Sequence, residues 1–105
     1  MKYTEDELDQ MASEGEDLRN EGKTAEALLK LLPAAEHGNV CAMISLAGVY
    51  MDMGDTELEL KWLLEAFKAD PGCGVDETID SIILADDANE EYVRLAASYG
   101  YYNAV

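Results

Sequence analysis

The apolar positions of this chain recur at helical spacing, and the recurrence itself repeats with one fixed offset. Leu8, Met11, Gly15 and Leu18 stand three or four residues apart, and Leu28, Leu31, Leu32 and Ala35 follow the same stripe. Such spacing marks one face of an amphipathic helix. A shift of 32 residues carries Leu28 onto Leu60 and Tyr92, Leu31 onto Leu63 and Leu95, and Leu32 onto Leu64 and Ala96. Ala35, Phe67 and Tyr99 obey the same shift, as do Leu18, Tyr50 and Ile82, and no gap is needed. A repeat of this length with helical spacing inside it predicts stacked helix pairs, each burying its apolar seam against its neighbours.

Turn and cap residues divide the pattern into six helices. The first begins at Thr4, where Thr4 and Glu7 form a capping-box pattern, and ends at Gly22. Thr24 is the expected cap of the second helix, which contains Pro33 and is expected to kink there. His37-Gly38-Asn39 closes it and caps the third, at about 40–53. The third helix has two apolar sides: Ala42, Leu46, Val49 and Tyr50, and Val40, Ile44, Ala47 and Met51. A helix apolar on two sides is expected to be covered on both. Gly54-Asp55-Thr56 mirrors Gly22-Lys23-Thr24, and a fourth helix follows at about 57–69, with Leu58, Trp62, Ala66 and Ala69 as its second stripe. A fifth runs from Val75 or Asp76 to Ala85. A sixth follows Asp87 and ends at Gly100.

The middle unit carries a family resemblance. Gly38-Asn39, Ala42, Leu46, Ala47, Tyr50, Gly54, Trp62, Ala66 and Ala69 resemble the Sel-one-like branch of the tetratricopeptide superfamily. The first unit is similar through Gly15, Leu18, Gly22, Ala27 and Ala34-Ala35. The third departs, with Ile79 in place of a small residue and Asp86 in place of glycine, and reads as a degenerate end unit. The resemblance implies an all-α, right-handed α-solenoid of three helix-turn-helix repeats, six antiparallel helices in all. The repeats span about 4–38, 39–71 and 72–102 of a single domain over 1–105. It also implies scaffold, adaptor or peptide-binding work and no catalytic residue.

Charge narrows the partner. The chain has 23 acidic and 7 basic residues, a formal net charge of −16. Such a surface attracts basic partners. It disfavours nucleic acid, whose binding needs Lys and Arg against phosphate, and anionic membrane for the same reason. No apolar run reaches membrane-spanning length. The first ten residues lack the apolar core of a secretion signal, so a cytoplasmic protein is expected. Cys41 and Cys73, 32 apart, fall on equivalent sites of successive repeats and are expected to be two free thiols, with Cys41 buried or half-buried.

In this superfamily the first helix of each pair lines the concave face. Rotation at 100° per residue puts Cys41, Ser45, Gly48 and Asp52 there, and the fixed period adds Asp9, Ser13, Glu16 and Asn20. From the fifth helix it adds Cys73, Glu77, Asp80 and Leu84. The set has five carboxylates, no Lys or Arg, and a small centre that would admit a peptide backbone. The expected function is a non-catalytic adaptor taking a basic or amphipathic segment of another protein, as a monomer or weak homodimer. A dimer would use Tyr99, Tyr101 and Tyr102. The alternative is an acidic inhibitor that imitates nucleic acid and blocks a DNA- or RNA-binding protein. No cofactor or metal is expected. His37 reads as a helix-end residue. Asp52 with Asp55, and Asp86-Asp87 with Glu90-Glu91, lack EF-hand spacing and read as solvated acids. Met11, Met43, Met51 and Met53 read as core fillers.

Overall fold

A computed structural model describes residues 3–85 and 90–101. Within them the chain forms six helices and no strand: α1 (Glu5–Asn20), α2 (Thr24–Glu36), α3 (Val40–Met53), α4 (Thr56–Ala69), α5 (Asp76–Ala85) and α6 (Glu90–Ser98). Thr4 starts α1 with a complete capping box. Its hydroxyl accepts the Glu7 N–H at 3.2 Å, and the Glu7 carboxylate accepts the Thr4 N–H at 2.9 Å. Asn39 caps α3 by accepting the Ala42 N–H at 2.8 Å, and Asp55 caps α4 through the Leu58 N–H at 3.2 Å. Thr24 is not a cap but the first residue of α2, where Lys23 offers no side-chain bond. Asp87 lies outside the described residues, as do Asp86 and Tyr102.

The turns repeat as well as the helices. Gly22 and Gly54 both adopt φ near +80°, which only glycine takes without strain. Beside them, the Lys23 N–H reaches the Leu18 carbonyl and the Asp55 N–H reaches the Tyr50 carbonyl, each at 2.9 Å. These are the same Schellman closure at the same offset. Helix α2 runs through Pro33 to Glu36, leaving the carbonyl one turn back without its helical donor.

Contacts set the directions. The Tyr3 ring meets the His37 ring at 5.0 Å, and Lys30 pairs with Glu14 at 3.2 Å, so α1 and α2 are antiparallel. Asn39 meets Asp9 at 2.7 Å and Arg19 meets Asp52 at 2.8 Å, so α1 and α3 run parallel. Helix α2 packs against both. The α1–α2 crossing is tight because Gly15 is buried under Leu31: a Cβ there would stand 2.4 Å from Leu31 Cγ.

The third hairpin is arranged differently. Helices α5 and α6 both lean on α4 and share a buried cluster with it. The pairs related to Gly15–Leu31 by the offset are Ala47–Leu63 and Ile79–Leu95. The exit from α4 differs too, with extended backbone at Asp70 before Pro71 and a longer link to α5. Tyrosines secure α6 and the turn that follows it. Tyr99 donates to Glu65 at 2.7 Å, Phe67 meets Tyr101 edge-on at 5.0 Å, and the Tyr101 hydroxyl lies 2.8 Å from Asp80. Burial and the Glu65 bond push the Tyr99 phenol up to about 12. Both rings are half-buried against their own chain.

Two buried clusters result. One joins α1, α2 and α3 around Leu8, Leu31 and Leu46; the other joins α4, α5 and α6 around Leu60, Leu64 and Ile79. Ile44, Trp62 and Cys73 pack on both. The positions of the 32-residue register are all buried or half-buried. Met43 is buried, but Met51 and Met53 are about half exposed, at 51% and 52%. They differ from core fillers because they stand at the end of α3, where Met51 forms the rim of an open depression.

Candidate functional site

Parallel packing of α1 and α3 lays eight of the expected residues in two facing rows. Asp9, Ser13, Glu16 and Asn20 come from α1, and Cys41, Ser45, Gly48 and Asp52 from α3. Asp9, Ser13, Asn20, Cys41 and Asp52 are exposed, and Glu16, Ser45 and Gly48 are half-buried. Cys41 is therefore not the buried or half-buried residue expected, because it stands on the outward side of α3. Glu77 is exposed and Asp80 half-buried on α5, where the Tyr101 hydroxyl lies against Asp80. Leu84 is exposed and Cys73 half-buried.

The centre of the rows is occupied by the chain itself. Arg19 crosses over Gly48, where a Cβ would stand 2.7 Å from the guanidinium carbon. Its Nε donates to Asp52 at 2.8 Å and an Nη donates to Glu16 at 3.1 Å. The Arg19 bond holds the Asp52 carboxyl below its ordinary range, and Asp52 raises the Arg19 guanidinium in return. Gly48 therefore leaves room for a neighbouring arginine, not for a bare peptide backbone. The expectation of a face without Lys or Arg is corrected by this residue. Two signals pointed to it: the Glu16–Arg19 spacing suits an intrahelical ion pair, and a mid-helix glycine costs about 1 kcal/mol relative to alanine and so asks for a packing reason.

The other end of the face is open. A depression of about 500 Å³ lies between the start of α1 and the α2–α3 turn. Glu5, Asp9, Leu8, Val40 and Cys41 line it, with His37, Gly38 and Asn39. Asn39 holds Asp9 in place while capping α3. The exposed His37 ring sets Nδ1 2.8 Å from the Pro33 carbonyl, which only a protonated nitrogen can satisfy, and its face is engaged by Tyr3.

Among the described residues, no group of three or more His, Cys, Asp or Glu side chains is placed to hold a metal ion. Asp52 and Asp55 are separately engaged, one by Arg19 and the other as the α4 cap. The set Asp86-Asp87 with Glu90-Glu91 lies partly outside the described residues. No described helix is long and apolar enough to cross a membrane. Comparison with protein-family models, curated proteins and solved structures gives no significant match to this chain.

Proposed function

We propose that this chain is a non-catalytic protein-binding module, a tetratricopeptide-like, Sel-one-like solenoid of right hand. In this reading it presents the acidic end of its α1–α3 face to a basic or amphipathic segment of another protein. The recurring Schellman turns and the packing of α1, α2 and α3 on one another support the repeat reading. The observation that carries the function is the α1–α3 depression. It sets Glu5 and Asp9 beside apolar Leu8 and Val40, with no Lys or Arg among the described residues that line it. An amphipathic segment needs that pairing of acid and apolar wall. Arg19 leaves this end of the face untouched, because it is committed to Glu16 and Asp52. The unbridged Cys41 and Cys73 accord with work in the cytoplasm as a monomer or weak homodimer.

Calorimetric titration with an amphipathic Lys/Leu peptide tests the reading. Affinity should fall as salt is raised. A Glu5→Gln, Asp9→Asn double variant should weaken binding by about fivefold, in line with two partly screened charges. Asn at position 9 keeps an acceptor for Asn39, so the fold is spared. An equal loss from Glu26→Gln, Glu36→Gln on α2 would show that net charge alone acts and would reject the site.

A further inference from the structure

The second junction between helix pairs contains a cavity. It measures about 580 Å³ and lies where the end of α3 and the start of α4 meet α5 and α6. Subtracting the offset of 32 shows what changed. Its lining residues Glu59, Thr78 and Ser81 correspond to Ala27, Leu46 and Val49, which are sealed in the first core at 0%, 0% and 1% exposure. Three apolar seam positions have become a carboxylic acid and two hydroxyls, and the seam has opened.

Glu59 is the telling member. It is only 7% exposed, and no hydrogen bond or ion pair engages it among the described residues. No buried side-chain oxygen of the described residues lacks a partner, so its carboxylate keeps access to solvent, and holding a charge in so enclosed a place is costly. Burial works against its ionised form, and a cation brought beside it would restore that form. Thr56, Thr78 and Ser81 add hydroxyl oxygens around it, and no Lys or Arg is among the described residues of the lining.

We propose that this cavity is a socket for a primary ammonium group, delivered as a lysine side chain of a partner protein. An ammonium carries three donors in three directions, which one carboxylate and surrounding hydroxyls can accept. A guanidinium can also pair with the Glu59 carboxylate, but its donors lie in one plane, whereas the hydroxyls here come from two helices, Thr56 on α4 and Thr78 and Ser81 on α5. The stem is accommodated as well as the head. Glu59 sits deep while Met51, 51% exposed, forms an apolar rim, and Ile82 and the Tyr92 ring complete the walls. A long methylene chain with a terminal charge matches that gradient. The net charge of −16 draws such partners to the surface.

The test is a nuclear magnetic resonance titration with acetyl-Gly-Lys-Gly-amide, its Nε-acetyl form and n-butylamine. The lysine peptide should give saturable shifts at the amides of Thr56, Glu59, Thr78 and Ser81. Nε-acetylation should abolish them. Glu59→Gln should weaken binding by about tenfold or more, the scale of one charge-assisted bond. If Glu59→Gln does not fold, Thr78→Val makes the same comparison. The Glu5→Gln, Asp9→Asn variant should bind unchanged, which separates this socket from the α1–α3 face. Shifts spread over the whole acidic surface, or undiminished in folded Glu59→Gln, would overturn the proposal. So would saturation by n-butylamine with no response to the lysine peptide.

Discussion

Glu59 and Asp52 are carboxylates with opposite consequences for stability. Arg19 holds Asp52 below the ordinary range, so the native state favours its ionised form. That contribution is present above the unfolded value and is lost as pH falls through the depressed one. Burial raises Glu59, so the native state retains a proton that the unfolded chain releases. Stability therefore declines as pH climbs from the ordinary carboxylate range through the raised value, and the full penalty stands above it. Glu59→Gln should melt higher than the parent at pH 7 and equal to it near pH 3, below both values. Thermal unfolding at the two pH values checks this, and a lower melting point at pH 7 would contradict it. Neither carboxylate declared its character in the sequence. Asp52 gains its partner from a helix more than thirty positions away, and Glu59 is enclosed only because α5 and α6 sit as they do. Gly48 was legible as a small position, but what fills the space is a side chain from α1.

The helices were far easier to read than their arrangement. Stripes, caps and turn glycines are local, and Thr4, Gly22, Asn39 and Gly54 mark their boundaries through bonds to near neighbours. Thr24 misled because it resembles a cap, while the chain had already turned helical at that residue. The route into the third hairpin depends on the path after Asp70, which is a matter of space between elements. Asn39 acts at both levels, as cap of α3 and as tether of α1 through Asp9. Asn39→Ala should cost about 1–2 kcal/mol in urea unfolding, the scale of a lost cap plus a surface hydrogen bond. Asn39→Asp keeps the cap yet sets two carboxylates together, and should also be less stable than the parent. A gain for Asn39→Asp would show that the tether to Asp9 contributes nothing.

Across the molecule, 40 × 28 × 18 Å, the thin dimension holds only about two helix layers. The apolar interior is correspondingly split, and its halves touch through Ile44, Trp62 and Cys73. Helices α5 and α6 rest on α4 at the end of the stack, on the second of the two clusters. Amide hydrogen exchange should show α5 and α6 opening at lower free energy than α1 to α3, as a separate cooperative unit. Uniform protection across all six helices would refute this. Trp62 is the only tryptophan in the chain, and it stands on that frontier. Nature has thus placed a lone fluorophore where the halves would part, so its emission should redden at denaturant levels that leave most of the far-ultraviolet ellipticity intact.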